Sequence, residues 1–143
     1  MAHVVYNGWK GKDGIDWAAG AAGDYKGMLV SSSYTPDPDH AAPNATGLAA
    51  NEVTGGGYAR QNVGGRTKTA NNATNTYDHA ADNLLFTNVT GDVRWLVIYK
   101  VVTDDTDHKL VCALDLGTRT LAGDNFAIKF DGGATSGIVF QGT

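Results

Sequence analysis

The stretch VRWLVIYKVV, residues 93–102, decides how the chain is read. In a strand its side chains alternate between two faces. Val93, Trp95, Val97, Tyr99 and Val101 fall on one face, and Arg94, Leu96, Ile98, Lys100 and Val102 on the other. Both faces are apolar in the middle, which predicts a central strand with polar ends, covered from two sides. Downstream, TDDTDHK is rich in turn formers and separates this run from LVCALDLG, residues 110–117, as the loop of a hairpin does. In FAIKF, residues 126–130, Phe126, Ile128 and Phe130 point inward and Ala127 and Lys129 outward. After the turn DGGATSG, GIVF at 137–140 makes a last short strand.

Upstream, YKGMLVSSSY at 25–34 offers another strand, with Met28 and Val30 on one side and Leu29 on the other. TNTYDH and LLFT, 74–79 and 84–87, read as two short strands or as one strand broken by a bulge. Helical signals are weak. Residues 13–24 hold alanines for a short helix but also three glycines, and 47–55 suffices for one or two turns ending at Gly55. About five to eight short strands with Gly- and Asp-rich turns predict an all-β, single-domain antiparallel β-sandwich, jelly-roll-like or Ig-like, with little helix. Residues 1–24 are expected to be an N-terminal arm or short helix and 25–143 the sandwich. GGGYARQNVGGRTKTANNATN, 55–75, is expected to be a long loop or arm, because few of its residues can fill a core.

The chain has 143 residues, enough for one domain with its own core. Charged residues are 18%, below the roughly 25% usual in soluble domains, and Gly, Thr, Asn and Ala take their place. Such a neutral polar surface suits contact with other protein. A formal net charge of −4 with no Lys/Arg cluster argues against a nucleic-acid partner. No apolar run reaches the roughly 18 residues of a membrane-spanning helix. The opening MAHVVYNGWK lacks the pattern of a signal peptide, so synthesis in a cytoplasm is expected. On that reading the N-x-T triplets at Asn44, Asn72 and Asn88 are ordinary polar surface. Cys112, the one cysteine, sits in an apolar run and reads as a buried, inert thiol.

Two clusters invite a chemical reading. SSSYTPDPDH, 31–40, places Asp37, Asp39 and His40 together, and TDDTDH does the same with Asp104, Asp105, Asp107 and His108. Carboxylates and imidazoles bind divalent cations, but neither spacing matches an EF-hand loop. Pro36 and Pro38 fix φ and remove donors, and the aspartates cap the turn, so the first cluster reads as a strand exit. The second reads as a solvated hairpin tip, with a Ca²⁺ ion bridging protomers as its alternative. No G-x-S-x-G elbow or P-loop is present. Glu52 is the single glutamate, and none of the aspartates lies in an apolar setting that would raise its pKa. An enzyme and a bound cofactor are therefore not expected. Trp95 and Tyr99 read as core, and Trp9 and Trp17 as anchors of the N-terminal segment.

The order of motifs carries a resemblance. VVYN, then LVSSSYTPDPDH, ANEVTGGGYAR, FTNVT, RWLVIYK, DLG and FAIKFDGG…GI follow one another. This succession resembles a family of small tailed-bacteriophage virion structural proteins. The similarity covers most of the chain, closest at 29–40, 50–60, 82–100 and 110–140, with departures at 11–24 and 62–76. None of these blocks is a catalytic signature. The resemblance implies a capsid decoration (cement) protein on the outer surface of the head. Its partner would be the major capsid protein, and it would form a homo-oligomer, a trimer by lattice geometry. A tail or baseplate component is the alternative, and a carbohydrate-binding module for host-surface glycans a second one. Contact residues expected on this reading are Trp9 and Lys10 in the arm, Tyr34, Pro36 and Asp37 at the corner, and Tyr58 and Arg60 in the 55–75 loop. Each also has the plainer reading of internal packing or solvated surface.

Overall fold

The computed structural model describes residues 2–10, 17–130 and 136–142. They form an all-β sandwich of two antiparallel sheets. The strands are β1 (His3–Val5), β2 (Tyr25–Val30), β3 (Gly55–Gly56), β4 (Gln61–Asn62), β5 (Thr67–Asn71), β6 (Thr76–Asp82), β7 (Leu84–Lys100), β8 (Lys109–Ile128) and β9 (Ser136–Gly142). The larger sheet runs β1-β8-β7-β2-β4, with β3 also on β7, and the smaller runs β5-β6-β9. Only Asn83 separates β6 from β7, so the chain changes sheet at that residue. The Asn83 side-chain oxygen accepts the Phe130 N–H at 2.9 Å and fixes this corner.

Burial explains why the central strand is apolar on both faces. Leu96 and Ile98 of β7, with Leu29, Cys112 and Leu114, belong to a core shared with Trp17, Ala81, Val139 and Phe140 from the smaller sheet and the N-terminal segment. Trp95, Val97 and Tyr99, with Met28, Val30, Leu110 and Ala113, form a second core closed by Tyr6, Tyr34 and Leu48. The larger sheet therefore lies between the smaller sheet on one side and the irregular 31–51 segment on the other. Buried indole donors are satisfied where they meet backbone: Trp95 donates to Tyr34 O and Trp17 to Ala80 O, each at 3.0 Å.

Several expectations need correction. Val93 does not share a face with Trp95 and Val97. The β7–β8 register shifts between Val93 and Trp95, and Val93 turns into the core between the sheets. The runs 110–117 and 126–130 are not separate strands but lie in or at the end of one, β8, which continues through TRTLAGDN. Within it Gly123, with φ +79°, forms a bulge: Thr90 pairs with Ala122 and Val89 with Asp124, leaving the glycine as an extra residue in a conformation that would strain an L side chain. The 55–75 segment is not one long loop, since it supplies β3, β4 and β5. Of the helix expected at 13–24, residues 13–16 lie outside the described residues, and the remainder holds only a 3-10 turn at Ala22–Asp24. The turn expected at 131–137 lies outside the described residues up to 135.

Candidate interaction surface

SSSYTPDPDH folds as a cover over the second core. Tyr34 N–H donates to Ser31 O at 3.2 Å as the strand ends, and Asp39 N–H donates to the Asp37 carboxylate at 3.0 Å. His40 N–H returns to Asp37 O at 3.0 Å, closing the turn. The Tyr34 hydroxyl lies between the Tyr6 hydroxyl at 2.9 Å and His40 Nδ1 at 3.1 Å. Burial raises the pKa of both phenols. The N-terminal segment docks here: Asn7 N–H donates to Pro38 O at 2.8 Å and its side-chain amide to Asp39 at 2.6 Å. Lys10 donates to the Asn7 side-chain oxygen at 3.0 Å. The fold thus joins Lys10, through Asn7, to the corner, where Asp37 is exposed and Pro36 half-buried. Two of the expected contact residues are not surface. Trp9 is 2% exposed, packed edge-on against Tyr25, and Tyr34 is 3% exposed in the second core. Large aromatic rings here gain more from burial than a marginal arm could supply.

The two Asp/His loops meet, since Leu110 N–H donates to Ala41 O at 3.0 Å and Asn44 N–H to Asp105 O at 3.3 Å. Their side chains have other partners. Asp104 caps Thr106 through its N–H at 2.9 Å and hydroxyl at 2.5 Å. His108 Nδ1 accepts the Val102 N–H at 2.9 Å while its ring stacks on Tyr99. Among the described residues no group of three His, Cys, Asp or Glu side chains is placed to hold a metal ion.

Tyr58 and Arg60 hold the 52–62 segment down. Arg60 meets Glu52 through Nε and Nη2, both at 2.7 Å, and Asp105 through Nη1 at 2.7 Å and Nη2 at 3.0 Å. Nη1 also donates to the Tyr99 hydroxyl at 3.1 Å. All five guanidinium donors are therefore used. These bonds, Glu52 first, raise the pKa of Arg60, and the guanidinium holds the Asp105 carboxyl below its ordinary range. The Tyr58 hydroxyl donates to Glu52 at 2.9 Å and accepts the Leu29 N–H at 3.0 Å. Arg66 is a second clamp that residue spacing does not reveal. Buried against the Tyr25 ring, it donates to the carbonyls of Trp17, Val63, Ala19 and Ala21 at 2.6–3.1 Å. It fastens the N-terminal segment to the smaller sheet.

Lys10, Pro36 and Asp37 stay at the surface, and a second open surface lies on the larger sheet. Residues 84–93 of β7 pair with 119–128 of β8, with β3 on the far side of β7; Leu84, Phe86, Val89, Val93 and Ile128 on one face belong to the core, and the other face is open. Along these segments Leu85, Thr87, Thr90, Thr120, Ala122, Asn125 and Ala127 are exposed, Leu85 by 53%. They carry few charges: Asp92, Arg119 and Asp124. Asp92 is engaged by Ser32, through N–H at 2.9 Å and hydroxyl at 2.5 Å, which lowers its pKa. A shallow groove of about 350 Å³ lies beside it, lined by Ser31, Asn51, Glu52, Thr54, Gly55 and Asp92 among others. In LLFT the exposed Leu85 and Thr87 alternate with the buried Leu84 and Phe86, but the period breaks at Asn88 and carries the signal no further. No protein-family model, curated protein or solved structure matches the chain.

Proposed function

We propose that the protein is a bacteriophage virion structural component, a decoration protein that binds the outside of the major capsid protein lattice and reinforces the head. The observation that carries this reading is the open face of the paired segments 84–93 and 119–128. It is long, poor in charge and rich in Thr, Asn, Gly and Ala, a surface that can cover neighbouring protein without burying unpaired charge. The motif order described above supports the same lineage. Many copies of a modest contact reinforce a shell because symmetry repeats each one. The clamps at Arg60 and Arg66 suit such a part, since a rigid body loses little entropy on docking. The sugar-binding reading is less favoured, because Trp9, Trp17 and Trp95 are all buried and leave no tryptophan platform.

The test is reconstitution. Particles of the encoding phage, stripped of this protein or produced without it, are mixed with the purified chain and heated while DNA release is followed. A decoration protein binds to saturation and raises the release temperature. Absence of binding to heads, with recovery on tails instead, refutes the reading in favour of a tail component.

A further inference from the structure

We propose that the open edge of β8 pairs antiparallel with the same edge of a second copy of this chain, joining the two larger sheets across a two-fold axis at Leu121. Among the described residues, β1 covers β8 only opposite Cys112–Leu114, and Asp115 N–H reaches Ala2 O. Among the described residues no strand lies on that side from Arg119 to Ala127, leaving about 30 Å of edge at strand rise. Unpaired edges of this length take up another strand unless something blocks them.

The side chains specify which strand fits. Arg119 is opposite Val93, Leu121 opposite Gly91, and Asp124 opposite Val89. On β7 these partners are two residues apart, so all three β8 side chains share one face. The extra residue Gly123 keeps Asp124 in step despite its odd spacing from Leu121. Arg119 and Asp124 therefore lie one pleat repeat either side of Leu121. A two-fold axis through Leu121 sets each Arg119 opposite the partner copy's Asp124 and places the two leucines face to face. The same register puts Thr120 opposite the partner's Ala122, and it ends at Arg119, because the β7–β8 ladder breaks before that residue and Gly117 takes φ +73°. In the single chain, the Asp124 carboxylate accepts its own Ala122 N–H at 2.9 Å and Arg119 lies over Phe126. Both side chains are exposed and free to turn to a partner. The match is self-complementary, which favours two-fold pairing over the three-fold association expected from lattice geometry. The inference does not depend on the virion role.

Sedimentation velocity of the full chain, from about 1 to about 200 µM, spans the range in which an interface of this modest size dissociates. The expected result is a concentration-dependent dimer. Arg119→Asp and Asp124→Arg each place like charges opposite and weaken it by tenfold or more, and the double exchange restores it. Leu121→Cys, on the axis, should oxidise to a covalent dimer, whereas Thr118→Cys should not, because its own image lies several residues away. Circular dichroism confirms that the variants are folded. A monomer throughout the range, a trimer, or a dimer unaffected by the single exchanges overturns the proposal. So does equal cross-linking at 118 and 121.

Discussion

Replacing Arg60 with alanine removes five hydrogen bonds at once and leaves Glu52, 17% exposed at its side chain, facing Asp105 without a cation. Breaking one partner of a buried charge pair costs about 3–5 kcal/mol. The share from Asp105 must be discounted, because its side chain is 46% exposed and solvent screens it to about 0–1 kcal/mol. The expected loss is about 3 kcal/mol, or about 10 °C in Tm for a domain of this size. Arg60→Lys keeps the charge but not the double fork, so roughly half of that loss is expected. Denaturant titration and thermal melts measure both. Acidification offers a second readout. Arg60 depresses the folded-state pKa of Asp105. That contribution is complete above the unfolded-state value near 3.9 and disappears as pH falls through the lower folded-state value. The wild-type protein should therefore lose stability below about pH 4 more steeply than Arg60→Ala. A loss under about 1 kcal/mol, with unchanged acid dependence, would refute the argument and reduce the network to an ordinary surface ion pair.

Other substitutions probe the remaining framework. Arg66→Ala strips four carbonyls of their donor and should release residues 17–21, seen as faster proteolysis there and a loss of about 2–4 kcal/mol. Gly55→Ala would place a Cβ 2.2 Å from Thr90 O, a backbone atom that cannot yield without disturbing the β3–β7 pairing. At least about 2 kcal/mol should be lost in denaturant titration, whereas Gly8→Ala, with open space, should lie within about 0.5 kcal/mol of wild type. Burial raises the Cys112 pKa, so a thiol reagent at neutral pH should label the protein only at the rate of unfolding, and mild denaturant should accelerate it.

The parts of the fold legible in the sequence were those with a local period. VRWLVIYKVV, GIVF and the FAIKF alternation report burial through the two-residue repeat, and all lie in or at the end of strands. TNVTGD and TRTLAGDN carry no such repeat, because Gly, Asn and Asp interrupt it, yet they pair with one another around bulges. The surface of that pair was hidden with them. Long-range polar bonds left no local trace either. Arg60 finds Asp105 45 residues away, and Arg66 binds carbonyls, which every residue possesses. A segment rich in glycine and asparagine therefore looked loose although two arginines hold it. Trp9 and Tyr34 were legible as important aromatics, but burial rather than contact is what they provide.

The most direct test of the virion account is the copy number of this chain relative to the major capsid protein, by quantitative mass spectrometry of purified particles. A decoration protein that covers the lattice gives a ratio near one, or a simple fraction of it if only some junctions are occupied. A ratio of a few per cent contradicts the account and places the protein in the tail.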